Sequence, residues 1–358
     1  MEGTTRKSTV KNGMFKRIAV LVMALAMLVA GGTMQAFCSE EMPVGTGAVV
    51  DQSSFNIAKL YQLANAGMTS PAEKFTFKIE KNSVTDSCCS LADMPAFAQN
   101  TYTIEYSEGD ATVQTQTAGA TDSSRKLSEN IALPNYSEVG IYTYKITETA
   151  GTTAGVEYDS QPIYLVITVT NQNSTLVRSI AMHYGSAAGS KTDTFTNTYK
   201  AGQLIVGKEV EGALGDVHKE FTMKVNFTAP AGKTVKSTIS YVDGETQGTI
   251  APANWSNGTA TATISLHDGE TVSFTNIPEG VTYEVVENDY TADGYEADYT
   301  YHDTSKKITG GDTDRVTVVN SKGVTIDTGI TSDSTPYIFG LALAGITALL
   351  WFRRKREY

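Results

Sequence analysis

The strongest constraint on the fold is a series of short segments in which apolar and polar residues alternate, separated by clusters of Gly, Asn, Asp and Ser. Examples are KFTFKIE (74–80), TYTIEY (101–106), PIYLVITVT (162–170), EFTMKVNF (220–227) and VTYEVVE (281–287). A period of two places successive side chains on opposite faces, so each segment is predicted to be a half-buried strand. The spacing predicts an all-β chain with two tandem immunoglobulin-like β-sandwich domains.

The strand-like segments form two similar sets, which we assign to domains at 53–199 and 200–322. The first set starts with FNIAKLY (55–61) and the second with LIVGKEV (204–210). Each set offers a lysine early, a glutamate late and an asparagine at its end. These residues are Lys59, Glu148 and Asn197 in the first domain, and Lys208, Glu287 and Asn320 in the second.

The alternation places all six of these polar residues on the apolar face of their strands. Lys59 follows Ile57 at a spacing of two, and Lys208 follows Val206 in the same way. A buried charge without a partner is costly, so such groups are normally paired or neutral. A single inward lysine can be an accident of the pattern or can reach solvent at a strand end. The same triple in the same order in two domains favours a shared internal site.

A lysine, a glutamate and an asparagine that meet in an apolar core can form a covalent amide bond. Burial lowers the pKa of the lysine and raises the pKa of the glutamate. The neutral amine then attacks the side-chain carbonyl carbon of the asparagine. The protonated glutamate donates to the carbonyl oxygen and transfers protons to the departing ammonia. Because the fold holds the groups in contact, the reaction would occur once per domain without a separate enzyme.

The composition excludes several classes of protein. The chain of 358 residues is 41% hydrophobic and 19% charged, which is typical of folded chains. Its formal net charge of −11 argues against a nucleic-acid partner. The four His and three Cys residues have no spacing typical of a metal site. They predict no metal, no cofactor and no disulfide framework.

Both ends of the chain have the pattern of targeting segments. Residues 1–38 contain a basic region, an apolar run and small residues, which predict a signal peptide. An N-terminal membrane anchor is the alternative. A linker at 323–335 leads to an apolar segment at 336–352, expected to be transmembrane, and a basic tail at 353–358. The positive charge predicts a cytoplasmic tail and an extracellular body, with a simple tail-anchored membrane protein as the alternative.

The segment TIDTG (325–329) resembles the cell-wall sorting signal of Gram-positive surface proteins. That signal is LPxTG followed by an apolar stretch and a basic tail. The resemblance implies that a sortase cleaves between Thr328 and Gly329 and transfers the Thr328 carbonyl group to an amine. Thr325 and Ile326 replace the Leu and Pro of the pattern.

The body of the chain resembles the streptococcal pilin isopeptide-linkage family, the major pilins of Gram-positive pili. The shared motifs are FTFKIE, YTYKITE followed by GVEYD, GSK and a closing F-x-N in the first domain, and LIVGKEV, IPEGVTYEVVENDY and VVN in the second. The resemblance implies intramolecular bonds Lys59–Asn197 and Lys208–Asn320, each promoted by the glutamate of its set.

The same resemblance implies polymerisation, because sortase joins the C-terminal Thr of one such pilin to a lysine of the next. The lysine that aligns here is Lys191, in GSKTDTFTN, and the Thr is Thr328. An ordinary solvated lysine is the alternative for Lys191. The implied partners are sortase, neighbouring pilin subunits and peptidoglycan, and the implied location is the cell wall or a pilus.

Two functions fit these features. The first is a wall-anchored structural protein, the shaft subunit of a pilus, with no enzymatic turnover. The second is a monomeric adhesin, in which the same domains form a stalk and a long insertion such as 81–100 binds a host ligand. A secreted hydrolase is a third class, but the sequence has no nucleophile elbow, metal motif or catalytic carboxylate pair.

Overall fold

The structure, a computed structural model, describes residues 50–113, 124–243 and 246–324. The predicted signal peptide, the apolar segment at 336–352, the basic tail, Thr328 and Gly329 lie outside these residues. Within the described ranges, no helix has the length and apolar character needed to cross a membrane.

The described residues confirm the all-β prediction. Strands dominate, and the helical elements among them are two short 3₁₀-helices at Pro252–Asn254 and Thr291–Asp293. The alternating burial along the strands, as in TYTIEY with every second residue buried, follows from the period of two. Two β-sandwiches result, and each has its own apolar core.

The described residues of the first domain form twelve strands. They are β1 (Ser54–Phe55), β2 (Ala58–Leu63), β3 (Glu73–Thr85), β4 (Thr101–Tyr106), β5 (Thr112–Val113), β6 (Arg125–Leu127), β7 (Ile131–Ala132), β8 (Gly140–Thr149), β9 (Val156–Glu157), β10 (Ile163–Gln172), β11 (Thr175–Tyr184) and β12 (Thr194–Tyr199). One sheet has the order β11-β10-β8-β3-β4. The facing sheet has the order β5-β2-β12-β9, with β6 also paired to β2, and β1 pairs with β7.

The second domain contains nine strands within the described residues. They are β13 (Ala201–Glu211), β14 (Phe221–Thr228), β15 (Ile239–Asp243), β16 (Thr246–Ile250), β17 (Thr259–Leu266), β18 (Thr271–Pro278), β19 (Thr282–Glu287), β20 (Glu296–Tyr301) and β21 (Thr313–Ser321). The larger sheet has the order β16-β15-β18-β13-β21-β20, and the smaller one has the order β17-β14-β19.

In each domain an early strand and the last strand lie side by side and run in the same direction. β2 pairs with β12, and β13 pairs with β21, both in parallel. Adjacent parallel strands cannot be joined by a tight turn, so the rest of each domain forms the connection between them. A covalent bond between such strands therefore encloses almost the whole domain.

The first strand differs from its prediction. The alternation predicts one strand over 55–61, whereas the structure divides it into β1 and β2. At the break, Asn56 Nδ2 donates to the Ser128 carbonyl oxygen and the Ile57 N–H donates to Ser128 Oγ, both at 2.9 Å. These side-chain bonds replace ladder bonds, so the chain changes sheets while Ile57 stays fully buried.

A polar junction connects the two domains. Glu73, at the start of β3, is only 7% exposed. Its carboxylate accepts hydrogen bonds from Thr153 Oγ1 and, at 3.3 Å, from Tyr158 OH. Lys236 of the second domain lies 3.1 Å from the same carboxylate. Ala154, beside Thr153, belongs to the apolar core of the second domain, so polar and apolar contacts both cross the junction.

Candidate functional site

The parallel strand pairs bring the predicted lysines and asparagines together. In the first domain Lys59 lies opposite Phe195, and in the second Lys208 lies opposite Val318. Asn197 and Asn320 each follow two residues later, so they project from the same face as the residue opposite the lysine. The register is identical in the two domains, and it directs each lysine and its asparagine into the space between the sheets.

The glutamates come from the opposite sheet of each sandwich. Glu148 is the penultimate residue of β8 and lies opposite Phe77 of β3. Glu287 ends β19 and lies opposite Met223 of β14. Both sheets therefore contribute to each set. We call Lys59, Glu148 and Asn197 the first triad, and Lys208, Glu287 and Asn320 the second triad.

The first triad is closed by hydrogen bonds. Lys59 Nζ lies 2.7 Å from Glu148 Oε2, and both side chains are fully enclosed. Asn197 Nδ2 donates to the other carboxylate oxygen, Glu148 Oε1. Lys59 Nζ also lies 4.5 Å from the centroid of the Phe75 ring. One carboxylate thus holds the amine and the amide next to each other in an apolar site.

Burial shifts the protonation of the first triad in the direction that nucleophilic attack requires. Removal from water lowers the pKa of Lys59 to about 8, against the opposing attraction of Glu148 and Asp159. Removal from water also raises the pKa of Glu148 above its ordinary value, although Lys59 and Asn197 oppose the rise. The two pKa values approach each other, so transfer of a proton from amine to carboxylate becomes less costly.

The carbonyl oxygen of the asparagine has a different partner from the one the sequence suggested. The reaction inferred from the sequence has the glutamate donating to this oxygen, but Glu148 accepts a hydrogen bond from the amide nitrogen instead. Asn197 Oδ1 accepts a hydrogen bond of 2.8 Å from the backbone N–H of Asp159. Because a backbone N–H can only donate, this contact fixes the orientation of the amide. Asp159 was not among the predicted site residues, although it ends the GVEYD motif.

The second triad is buried but less closely connected. Lys208 Nζ lies 3.5 Å from Glu287 Oε1, with side chains 0% and 2% exposed. The same amine donates to the carbonyl oxygens of Glu209 and Val318, both at 3.1 Å. Neither amide atom of Asn320 has a hydrogen-bond partner among the described residues.

The second triad nevertheless has the same chemical character as the first. Removal from water lowers the pKa of Lys208 and raises the pKa of Glu287. Lys208 Nζ lies 4.5 Å from the Phe221 ring centroid, which matches the distance between Lys59 and its aromatic neighbour. The two domains therefore repeat the same combination of buried amine, buried carboxyl group and aromatic ring.

The predicted linking lysine, unlike the lysines of the triads, is exposed. Lys191 forms an isolated antiparallel bridge with His183 and lines a surface groove of about 570 Å³. The groove is also lined by Arg125 and Asp193, which form an ion pair at 2.8 Å. Lys191 is thus available to a macromolecular partner, in contrast to Lys59.

The long insertion at 81–100 is tied to the core of the first domain. Its first residues continue β3 as far as Thr85. Further along, Met94 is only 1% exposed, and the Pro95 carbonyl oxygen accepts a hydrogen bond of 2.7 Å from Tyr144 OH. The Phe97 ring packs edge-on against Tyr144, with centroids 4.8 Å apart. These contacts make the segment a cover for the core.

In the part of the chain that the structure describes, no group of three or more His, Cys, Asp or Glu residues is arranged to hold a metal ion. The buried charged residues among the described ones are Lys59, Lys208, Glu287, Glu73 and Asp314, and all but Asp314 belong to the triads or the domain junction.

Comparison with known proteins connects this geometry to a family. Residues 55–200 match the Spy0128-like isopeptide containing domain, and residues 202–322 match a domain of unknown function, DUF7601. A curated protein named Pilin, from Streptococcus pyogenes serotype M1, is 26% identical over 357 residues. The match covers 92% of this chain and 98% of that protein.

Solved structures of pilins share the fold. The major pilin from Streptococcus pyogenes superposes with a TM-score of 0.55 at 24% identity, covering 77% of this chain and all of that one. The major pilin protein T3.2 from the same species gives a TM-score of 0.52 at 20% identity, covering 76% of this chain and 98% of that one. Residues 55–200 thus match an isopeptide containing domain, and the chain is similar to a streptococcal pilin over nearly its whole length.

Proposed function

We propose that the chain is a structural subunit of the pilus shaft, in which each domain is closed by a self-formed Lys–Asn isopeptide bond. The observation that carries the proposal is the repetition of one buried triad at one strand register in both sandwiches. The similarity to major pilins supports a location on the cell surface. The chain performs one bond-forming event per domain and no enzymatic turnover.

The reaction in the first domain follows from its contacts. Lys59 gives a proton to Glu148, and the neutral Nζ attacks Asn197 Cγ. The Nζ–Cγ bond forms, the Cγ–Nδ2 bond breaks, and Glu148 delivers its proton to Nδ2, which leaves as ammonia. As the amide forms, Nζ gives its second proton to Glu148, so the products are the Lys59–Asn197 amide, a protonated Glu148 carboxyl group and one ammonia. Glu287 performs the same transfers for Lys208 and Asn320.

The bond has a mechanical consequence. Lys59 and Asn197 lie on neighbouring parallel strands that enter and leave the first domain. Force applied along the chain therefore passes through the cross-link and does not unfold the domain. Closing a loop of more than 100 residues also contributes about 5 kcal/mol by the chain-entropy relation used for disulfides. An amide cross-link, unlike a disulfide, is not cleaved by reduction.

The mass of the folded chain tests the bond-forming reaction. Each bond releases one ammonia, so the mature chain should be lighter by about 34 Da than its sequence requires. Glu148→Ala and Glu287→Ala should each remove half of this loss, and the double variant should remove all of it. Peptide mapping should then find Lys59 joined to Asn197 and Lys208 joined to Asn320. A full-length chain with an unshifted mass would refute the proposal.

Polymerisation through Lys191 is the second part of the proposal. Lys191 is exposed in a groove, so its amine is accessible to a sortase-bound subunit. Sortase would transfer the Thr328 carbonyl group to Lys191 of the next subunit, and the last subunit would be joined to peptidoglycan.

The test of polymerisation is a ladder of SDS-resistant multimers in cell-wall extracts. Lys191→Ala should abolish the ladder, while Lys224→Ala, which removes another exposed lysine, should leave it intact. A single wall-linked band in the unmodified chain would instead favour the monomeric adhesin. The packing of Met94 and Phe97 against the core argues against the adhesin role that a free loop at 81–100 would serve.

A further inference from the structure

The first triad contains a group that the lysine, glutamate and asparagine do not account for. The backbone N–H of Asp159 lies 2.8 Å from Asn197 Oδ1, the atom that gains negative charge when Lys59 attacks the adjacent carbon. Donors at 2.7–3.1 Å from a developing oxyanion are the usual means of stabilising such an intermediate. Glu148 cannot fill this role from its observed place, because it binds the departing nitrogen.

The side chain of Asp159 holds its own backbone in position. Oδ1 accepts a hydrogen bond of 2.8 Å from Tyr184 OH and one of 3.0 Å from the Gln161 N–H. Oδ2 accepts a bond of 3.2 Å from the Thr196 N–H, directly before Asn197 in β12. These bonds tie the loop that follows β9 both to the end of β11 and to the strand that carries the asparagine.

We propose that the Asp159 backbone amide is the oxyanion donor for isopeptide formation in the first domain, and that Tyr184 and the Asp159 carboxylate position it. The inference rests on the proposed bond between Lys59 and Asn197. It divides the work between two groups: Glu148 handles the proton that leaves with ammonia, and Asp159 N–H stabilises the negative charge on the oxygen. The second domain has no corresponding donor, since Asn320 Oδ1 is unpartnered among the described residues.

The experiment measures the rate of ammonia loss in the full-length mature chain. The chain is obtained unfolded and held in denaturant, so that no bond has formed, and is then folded by dilution and followed by intact mass. Glu287→Ala is present throughout, so that the loss of about 17 Da reports the first domain alone. Asp159→Pro, which removes the N–H, should slow bond formation about 100-fold. Asp159→Asn, which keeps the N–H and one acceptor oxygen, should stay within about threefold of the parent.

A charge-neutral variant separates positioning from general damage to the site. Tyr184→Phe should slow the reaction several-fold and should leave the pH dependence of its rate unchanged, because it does not alter Lys59 or Glu148, the two groups that exchange protons. If the substitution only let water into the site, the pKa of Lys59 would rise towards its ordinary value, and the pH dependence of the rate would shift with it. Tyr184→Phe also decides the question if Asp159→Pro does not fold.

The outcomes distinguish the inference from the reaction on which it rests. If the parent chain with Glu287→Ala loses no ammonia on folding, isopeptide formation in the first domain is refuted. If the parent reacts and folded Asp159→Pro reacts equally fast, only the role of Asp159 is refuted. A parent-like rate for Tyr184→Phe would overturn its positioning role.

Discussion

The two domains carry the same three residues at the same register, but they hold them differently. In the first triad the carboxylate joins the amine and the amide directly, with Lys59 Nζ at 2.7 Å from Glu148. In the second, Lys208 Nζ is 3.5 Å from Glu287 and donates to two backbone carbonyl oxygens. The lysine and glutamate side chains are almost equally buried in the two triads, so burial alone does not determine which hydrogen bonds the lysine forms.

The difference shows which features prepare the groups for reaction. A buried lysine needs acceptors, and either a carboxylate or backbone carbonyl oxygens can supply them. Only the carboxylate can also receive a proton and return it to the leaving group. The first triad is therefore arranged for reaction, whereas the second is satisfied mainly as a buried amine. Lys208 must turn from its carbonyl acceptors towards Glu287 and Asn320 before its bond can form.

Removing each glutamate should give the largest effect and the clearest contrast between the domains. Glu148→Ala leaves Lys59 buried without its ion-pair partner and prevents the bond. Loss of the partner alone should cost about 3–5 kcal/mol of unfolding free energy, and loss of the cross-link about 5 kcal/mol more. Glu287→Ala should cost less, because Lys208 keeps two carbonyl acceptors.

Denaturant unfolding with a separate signal for each domain measures this contrast. Asn197→Ala and Asn320→Ala serve as matched controls, because they prevent the bonds but retain both glutamates. Each glutamate variant is compared with the asparagine variant of the same domain. If the two glutamate variants lose the same unfolding free energy relative to these controls, the carbonyl acceptors of Lys208 have no energetic role.

The rate of bond formation should also differ between the domains. A chain with Glu287→Ala reports the first bond, and a chain with Glu148→Ala reports the second. We expect the first bond to form about 100-fold faster, which is the typical effect of one oxyanion donor. Time-resolved intact mass after folding provides the measurement. A second domain that reacts as fast as the first would contradict the comparison drawn from the triad geometries.

The pH dependence of the first bond follows from the shifted pKa values. The reactive pair shares one proton, held by Glu148 while Lys59 is neutral. Above a pH of about 8, the lowered pKa of Lys59, the pair loses this proton and Glu148 can no longer donate to the leaving nitrogen. The rate should therefore fall as the pH rises through about 8, giving the upper limb of a bell-shaped profile.

The same mass assay across a pH series gives the profile. At low pH the rate should fall again as both groups become protonated, at a pH above the ordinary pKa of glutamate because the pKa of Glu148 is raised. A rate that kept increasing to the ordinary pKa of a solvated lysine would show that Glu148 does not act as the acid.

The smallest expected effect concerns the junction between the domains. Lys236→Met removes the second-domain partner of buried Glu73, while Thr153 and Tyr158 still donate to that carboxylate. We expect a loss of about 1 kcal/mol and a wider separation of the two thermal transitions in calorimetry. Lys224→Met, on the exposed face of β14, is the control. Identical transitions in both variants would mean that the ion pair does not couple the domains.

The sequence predicted much of this arrangement for a local reason. The period of two is a property of neighbouring residues, and it correctly placed Lys59, Asn197, Lys208 and Asn320 among the buried positions. The break between β1 and β2 was missed, because it depends on Ser128, a residue distant in the chain. The role of 81–100 as a cover was missed for the same reason, since its contacts lie on Tyr144.

The sequence alone determined the all-β class, the repetition of one strand pattern in two domains, and the set of side chains that each core must accommodate. Alternation and order along the chain contain this information directly. Only the tertiary structure decided which atoms meet: Glu148 at the amide nitrogen, the Asp159 N–H at the amide oxygen, and Lys208 at backbone carbonyl groups. Hydrogen bonds depend on ångström-scale positions set by packed loops and facing sheets, and no periodic pattern specifies those positions.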